Sequence, residues 1–169
     1  TILMGEVRET RNPYSGQRMR VREDTRVQER MPDYTTFQST RTTTVPAAYL
    51  VPESEGETIE RLRAHGIRTL VLEAAESLDV EVFTADSVQA SEREYQRRKP
   101  TALFGSWSSE TREMSAGTVV VPTDQPLGRL AALLLEPLSD DGLAAWAVLE
   151  VGEDRVWPVV RADRDPGGE

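Results

Sequence analysis

The chain has 169 residues, enough to bury a sizeable core, and its composition and charge exclude several classes of protein. Its 29 acidic and 20 basic residues give a formal net charge of −9, which disfavours a nucleic-acid partner because the phosphates would be repelled. There is no cysteine, so disulfides and thiolate nucleophiles are excluded, and no apolar run reaches the roughly 18 residues of a membrane-spanning helix.

The first 44 residues are predicted to form an N-terminal hairpin followed by an extended Thr-rich segment. Residues 2–10 and 17–28 flank Asn12–Gly16, a stretch dense in turn-forming residues. Residues 31–46 are bounded by Pro32 and Pro46 and are rich in threonine, which favours an extended backbone. We interpret this segment either as a strand across the surface or as a linker.

A short helix is predicted between residues 54 and 66. Ser54–Glu57 has the pattern of a capping box, in which each end residue satisfies a backbone donor of the other. Ile59 and Leu62 supply an apolar stripe, and Gly66 is the expected stop. A buried strand over residues 48–51 is expected to precede this helix.

Strands are predicted to dominate the next part of the chain. The polar residues near Ser108 and Ser109 predict the tip of a hairpin. The expected strands are Ile67–Leu72, Asp79–Ala85, Val88–Tyr95, Thr101–Trp107, Thr111–Met114 and Thr118–Val121.

A second helix is predicted to begin near Asp124–Pro126, with the proline in its first turn. Its apolar residues recur at helical spacing, and Pro137 is expected to end it. Residues 143–149 have no clear type, and residues 156–161 are expected to return as a last strand. The predicted fold is a β-rich α+β domain, an antiparallel sheet or sandwich with two short covering helices. Its expected extent is residues 45–161, with a flexible tail over 162–169.

His65 is the single histidine of the chain. It falls at the end of the predicted first helix, where a positive charge complements the helix C-terminus. A catalytic zinc needs about three protein ligands, and no His-Glu-x-x-His or His-x-x-Glu pattern is present. A serine triad would need the same histidine, and Gly105–Ser109 resembles a nucleophile elbow only superficially. We therefore predict no catalytic residue, no bound metal and no bound cofactor in this chain.

Several acidic residues suggest weaker alternatives. Asp79 and Glu81 are two residues apart on a predicted strand, so they could bind calcium or, with Asp86, mimic a glycosidase pair. A solvated strand face is the commoner meaning of this pattern. Asp140 and Asp141 precede a glycine and are read first as turn formers.

Basic and aromatic residues give two further candidate surfaces. A basic cluster around Tyr95 could grip a carboxylate or an acidic surface, although interspersed glutamates favour an exposed hairpin end. The cluster consists of Arg93, Arg97, Arg98 and Lys99. The tryptophans at 107, 146 and 157 are too dispersed to predict a sugar-stacking platform, and Trp146 is predicted to pack in a core or at a domain interface.

Two segments carry a resemblance to a known family. The first is Gly117–Leu130 followed by Leu134–Trp146, and the second is Val45–Pro52 followed by a helix ending Leu62–Ile67. Both resemble the C-terminal, non-catalytic region of bacterial zinc carboxypeptidase-like proteins of the carboxypeptidase A type. The order and spacing of the segments agree with that family as well as their composition. The resemblance covers roughly residues 45–150.

The resemblance implies that a zinc-dependent peptidase domain precedes this piece in a longer chain. The family's His-x-x-Glu, later His and general-base Glu lie outside the matching part, so no catalytic residue is carried over to this sequence. Zinc is therefore expected in the parent's catalytic domain and not here. The resemblance also implies a secreted or periplasmic location. Because the chain opens on Thr1, we expect it to be trimmed from that longer protein.

Three functions remain open from the sequence. The first is an accessory domain that stabilises the peptidase domain of the same chain or shapes access to its cleft, with Trp146 at the interface. The second is an independent binding module for carbohydrate, peptide or cell surface. The third, a hydrolase in its own right, would require His65 to lie beside a nucleophile or a metal.

Overall fold

The computed structural model of the chain describes residues 2–167. The chain divides into two compact units, Thr1–Thr42 and Thr43–Glu169. Within the described residues, neither helix is long and apolar enough to cross a membrane.

The first unit consists of two antiparallel strand pairs. β1 (Ile2–Met4) pairs with β4 (Val27–Glu29), and β2 (Val7–Arg11) pairs with β3 (Arg18–Arg22). In the turn of the β2–β3 hairpin, the Asn12 side chain accepts hydrogen bonds from the backbone N–H groups of Tyr14 and Ser15, at 2.8 and 3.1 Å. The hairpin confirms the sequence prediction, because the turn residues supply the local hydrogen bonds that a tight reversal needs.

The Thr-rich segment forms neither helix nor strand. Residues 30–47 have no regular secondary structure, and residues 30–45 are all exposed. The strand interpretation was therefore wrong, and the linker interpretation stays a prediction. Threonine favours an extended backbone, but a strand also needs a neighbour to satisfy its N–H and C=O groups.

The second unit is built on one six-stranded antiparallel sheet. Its strands lie in the order β6-β9-β5-β10-β7-β8, and each pairs antiparallel with its neighbours. The strand bounds are Ala48–Val51 (β5), Leu70–Val71 (β6), Glu76–Ala90 (β7), Thr101–Met114 (β8), Val119–Pro122 (β9) and Val160–Ala162 (β10). The prediction of a β-rich α+β fold with an antiparallel sheet is confirmed.

Two short connections require this sheet to curl. The links from β6 to β7 and from β8 to β9 each contain four residues, 72–75 and 115–118, yet each joins strands four positions apart in the sheet. In a flat sheet that separation is about 19 Å, whereas the five Cα–Cα steps of such a link reach at most about 18 Å when straight. Residues 73 and 74 form a bend, so the link from β6 to β7 is not straight. The sheet therefore has to curl so that its two edges approach each other.

The long hairpin of β7 and β8 corrects the strand predictions. The four strands predicted over residues 79–114 are two long ones, and Ser108 and Ser109 pair with Val82 and Glu81 inside the ladder. The hairpin tip lies instead at Tyr95–Arg98, where the central residues take φ values of 51° and 65°. Exposed serines fit a solvated strand as well as a turn, so polarity alone did not locate the reversal.

Two helices pack on one face of the sheet. α1 (Gly56–Ala64) buries Thr58, Ile59 and Leu62, and α2 (Gly128–Leu135) buries its small residues and Leu135. The capping-box prediction was wrong, because the N-cap is Glu55 without a side-chain hydrogen bond. Glu57 instead pairs with Arg61 one turn later at 2.6 Å, and the hydrogen bonds and charge of that arginine lower the pKa of Glu57.

The second helix begins later than the prediction near Pro126. Residues 126 and 127 form a turn, and Leu127 is the N-cap of the helix. The helix ends at Leu135. Glu136 is then extended, with φ −70° and ψ 125°, as expected of the residue before a proline. This break turns the Glu136 side chain out of the helical repeat at the edge of the core.

The two faces of the sheet hold separate apolar clusters. The helix-covered face includes Tyr49, Phe83 and the fully buried Trp157, together with residues from both helices. The opposite face holds a cluster drawn from the strands and from Leu72, with members that include Leu50, Leu78 and Met114. The second cluster joins residues from the two sides that the short links bring together, as a curled sheet predicts.

Gly105 lies where the β7–β8 hairpin leaves no room for a side chain. A Cβ there would lie 2.1 Å from the Thr84 carbonyl oxygen and 2.7 Å from the Phe83 ring. We expect Gly105→Ala to lower the free energy of unfolding by about 3 kcal/mol, because the obstacle is backbone that cannot move aside cheaply. Gly56→Ala is the matched control: it meets no atom within 4 Å and is expected to stabilise slightly. Urea denaturation of both variants measures the difference, and equal stabilities would contradict the close approach.

Candidate functional site

The most concentrated polar chemistry of the second unit lies in one cluster on the helix-covered face of the sheet. We call it the Arg161 cluster. It consists of Thr43, Tyr49, Glu81, Trp107, Glu136 and Arg161. Arg161 is the central residue of β10 and is paired in register with Tyr49 on one side and Glu81 on the other. The antiparallel register therefore places these three side chains on one face, next to one another.

Arg161 and Glu136 form a buried ion pair at the centre of the cluster. Both side chains are 7% exposed. The Arg161 Nε donates to Glu136 Oε1 at 2.9 Å and Nη2 donates to Oε2 at 2.5 Å, so the contact is bidentate. Glu136 lies at the C-terminus of α2, where the helix dipole disfavours a negative charge. The guanidinium supplies the opposite charge that this position needs.

The remaining bonds of the guanidinium go to two partly exposed groups and one aromatic ring. Nη1 donates to Glu81 Oε2 at 3.1 Å, and Nη2 donates to Thr43 Oγ1 at 2.6 Å. The guanidinium carbon lies 3.7 Å from the centre of the Trp107 ring, which itself packs edge-on against Phe83. The cation is thereby stacked on one face and hydrogen-bonded around its rim.

Tyr49 completes the buried part of the cluster. Its phenol donates to Glu136 Oε1 at 2.6 Å, and the residue is 1% exposed. Burial, the hydrogen bond to Glu136 and the charge of that carboxylate all raise the pKa of Tyr49 well above its ordinary value. Burial alone would lower the pKa of Arg161, but the hydrogen bond and the charge of Glu136 outweigh it and the pKa is raised. The phenol is therefore held neutral and the arginine held charged.

The Arg161 cluster stabilises the fold, because most of its hydrogen-bonding groups are already paired inside the protein. The guanidinium makes four hydrogen bonds inside the protein, against the five N–H groups that an arginine carries. Glu136 accepts three hydrogen bonds from Tyr49 and Arg161 and is shielded from solvent. An arginine that binds a ligand carboxylate needs a free pair of donors. The cluster therefore works as an internal tie between α2 and three strands.

The raised pKa of Tyr49 predicts a loss of stability in alkali. Below the ordinary tyrosine pKa of 10.0, the phenol is neutral in both the folded and the unfolded chain. The contribution of Tyr49 to the free energy of unfolding is therefore fully present below that pH. Above it the unfolded chain releases this proton and the folded chain does not, which lowers the free energy of unfolding by about 1.4 kcal/mol per pH unit. Urea denaturation between roughly pH 9 and 11 measures this slope.

Tyr49→Phe is expected to remove the contribution of this tyrosine to the slope and to cost about 1 kcal/mol at pH 7. Tyr34→Phe is the control, because that residue is 82% exposed, and it should follow the parent chain. A Tyr49→Phe variant with an unchanged alkaline slope would contradict the buried phenol–carboxylate bond.

His65 lies at the C-cap of α1 and is exposed, and Gly66 follows with φ 78°. Among residues 2–167, no group of three or more histidine, cysteine or acidic side chains could hold a metal ion.

The acidic residues singled out from the sequence have other partners. Asp79 accepts a hydrogen bond from the Thr111 hydroxyl at 2.7 Å, and Glu81 is bonded to Arg161. Asp86 is the unpaired residue of the β-bulge between Ala85 and Ser87, and its backbone carbonyl accepts a hydrogen bond from Arg155. The two carboxylates proposed for a cation or a glycosidase pair thus bond to different neighbours across the sheet.

Trp146 lies near the tip of the β7–β8 hairpin. It is half-buried, its ring centre lies 5.9 Å from that of Tyr95, and its Nε1 donates to Asp141 at 2.5 Å. Arg98, from the predicted basic cluster, donates to the Trp146 and Ala147 carbonyls at 3.3 and 3.1 Å. Tyr95 remains 59% exposed, so this corner presents aromatic surface beside basic residues.

Two other features that the sequence suggested as possible sites lie in the sheet and in the core. Gly105–Ser109 lies inside β8 as regular strand, so the weak elbow hypothesis was wrong: an elbow requires a sharp strand-to-helix turn. Trp157 is fully buried, and its Nε1 donates to the Leu135 carbonyl at 3.1 Å. Its indole thereby satisfies one of the last carbonyls of α2.

An open cavity of about 770 Å³ lies beside the edge strand β6. Its charged side chains are Glu73 and Glu76, and Glu76 is paired with Arg164. The cavity is lined otherwise by β6, the following link, Val120, Pro166 and Gly167. It brings together no set of polar groups that would orient a ligand.

The Arg161 cluster was not predicted from the sequence. Glu136 stands in a run of leucines and Arg161 stands between buried valine and alanine. A charged residue inside an apolar run is the available signal, because a buried charge has to be paired. The sequence pattern does not indicate which charges pair, because Glu136 and Arg161 are 25 positions apart.

Comparisons with known proteins link the chain to carboxypeptidases. It is 27% identical over 129 residues to a protein named carboxypeptidase 2 from Trichophyton tonsurans, and 28% identical over 127 residues to one of the same name from Trichophyton equinum. A third, from Trichophyton rubrum, is 26% identical over 116 residues. No family model matches the chain, and no solved structure matches it significantly.

These alignments cover 69–76% of the chain but 22–24% of the relatives. The chain thus spans about a quarter of the length of the curated relatives that it matches. The comparisons support the link to carboxypeptidases at the level of weak similarity. They do not support the bacterial part of the resemblance, because the three organisms are fungi.

Proposed function

We propose that this chain is the non-catalytic C-terminal accessory domain of a zinc carboxypeptidase-like protein. In that role it would stabilise the peptidase domain of the same chain or shape access to its cleft. The observation that carries the proposal is the partial match to proteins named carboxypeptidase 2, which leaves about three quarters of each relative for other domains. A secreted or periplasmic location belongs to the same proposal.

The chemistry of the second unit supports a structural role. Its most buried charges, Glu136 and Arg161, bond to each other and to neighbouring side chains and have little capacity left for a substrate. Zinc and the residues that bind it would lie in the peptidase domain. The corner formed by Tyr95 and Trp146 is the surface proposed for docking, because it combines exposed aromatic area with nearby arginine.

The first test is an assay of the 169-residue chain for release of C-terminal amino acids from a peptide, with and without added zinc. No release is expected in either condition. Release that depends on His65 would overturn the proposal in favour of a hydrolase, and His65→Ala identifies that case.

The second test measures docking. The peptidase domain encoded by the parent reading frame is produced separately, and its binding to this chain is measured by calorimetry. Trp146→Ala is expected to weaken binding by roughly tenfold or more, as for an aromatic residue central to an interface. Tyr14→Ala, at a residue 98% exposed in the first unit, is the control and should leave the affinity unchanged. No binding, or equal binding by both variants, would count against this surface.

A further inference from the structure

The two edges of the six-stranded sheet differ in length and composition. The edge strand β6 has two residues, whereas β8, at the other edge, has fourteen. Within β8, residues 102–109 contain no charged residue and no proline. Natural proteins usually protect a long edge with such residues, because unpaired N–H and C=O groups invite another strand.

The direction of the β8 backbone groups follows from its neighbours. The Ala85 N–H donates to the Arg155 carbonyl, and the Trp157 N–H donates to the Phe83 carbonyl, both at 2.9 Å. These bonds flank Thr84, so the backbone groups of Thr84 point the other way, towards its partner Ser106.

Because backbone groups alternate along a strand, those of Gly105, Trp107 and Ser109 point away from β7 to the outer edge. Among the described residues, the N–H and C=O groups of residues 102–114 have no hydrogen-bond partner beyond the β7–β8 ladder. The outer edge of β8 therefore presents a continuous row of free donors and acceptors.

We propose that β8 pairs antiparallel with β8 of a second copy of this chain, which joins the two sheets across a two-fold axis. With the axis at Trp107, residue n faces residue 214 − n, so Glu110 faces Phe104 and Arg112 faces Ala102. The ladder ends there, because the outward N–H of Thr101 already donates to the Ala145 carbonyl at 2.8 Å. No like charges oppose each other along the ladder, which fits an edge that is its own complement. This inference goes beyond the proposed function and does not depend on it.

The charge of the chain sets the salt dependence of this dimer. Two copies of net charge −9 repel each other at long range, while the proposed contact is made by uncharged backbone. Added salt is therefore expected to strengthen dimerisation, since it screens the repulsion. An interface made of ion pairs would weaken instead.

Sedimentation equilibrium of the 169-residue chain tests the proposal, with Ser109→Pro as the disrupting variant. Proline there removes an outward N–H and leaves the β7 ladder intact. Dimerisation is expected to weaken by roughly thirtyfold, because the two-fold axis removes two hydrogen bonds at once. Ser109→Ala keeps the N–H and should dimerise like the parent chain. A parent chain that is monomeric throughout, or a dimer unaffected by proline, would overturn the proposal.

Hydrogen exchange of the unmodified chain keeps the proposal testable even where Ser109→Pro does not fold. The amides of Gly105, Trp107 and Ser109 should gain protection as concentration rises, while the β7-facing amides between them stay protected at every concentration. Outward amides that exchange fast at every concentration would overturn the proposal. Protection of these amides by the parent's peptidase domain, in a one-to-one complex without a dimer, would overturn the second copy as the occupant.

Discussion

Replacing Arg161 by methionine is expected to lower the free energy of unfolding by about 3–5 kcal/mol. The change keeps most of the side-chain volume and removes the cation, so the Glu136 carboxylate is left buried with only the Tyr49 phenol as donor. A buried charge without its partner costs far more than the pair contributed. Urea denaturation followed by circular dichroism measures the loss.

Two further variants separate pairing from packing. Glu81→Gln is the control, because the Glu81 side chain is 38% exposed and its share of the ion pair is screened, so a loss below about 1 kcal/mol is expected. The triple variant Tyr49→Phe, Glu136→Leu and Arg161→Met removes the buried polar groups of the Arg161 cluster together. It should recover most of the lost stability. A loss below about 1 kcal/mol for Arg161→Met alone would mean that water reaches Glu136.

Trp157→Ala is expected to cost about 3–5 kcal/mol, the range for large aromatic residues cut back in a core. Trp157 is fully buried between the sheet and α2, and its indole N–H bonds to the Leu135 carbonyl. The alanine leaves a cavity and also an unpaired carbonyl at the end of the helix. Thermal or urea unfolding of the variant measures the combined cost.

Trp146→Ala provides the comparison for Trp157. Trp146 is half-buried against Tyr95, so its removal should cost clearly less stability than the removal of Trp157. The same variant is the one expected to weaken docking of a peptidase domain, which separates a surface role from a core role. Equal losses of stability at the two positions would contradict the difference in burial.

Local pattern was enough to predict the secondary-structure class. The Asn12–Gly16 turn, the stop at Gly66 and the helix end before Pro137 depend on backbone conformations that a few neighbouring residues dictate. Strand boundaries were harder to predict. Ser108 and Ser109 look like a turn, but their partners on β7, more than twenty residues earlier, hold them in a ladder.

The sequence by itself determined a β-rich chain with two short helices, and it left the Thr-rich segment open between a strand and a linker. Only the tertiary structure decided which charges meet. Arg161 finds Glu136 because the end of α2 is packed over the middle of β10, and Tyr49 and Glu81 join through strand register. Register and layer packing are long-range properties, and the pattern within a single strand or helix does not specify them.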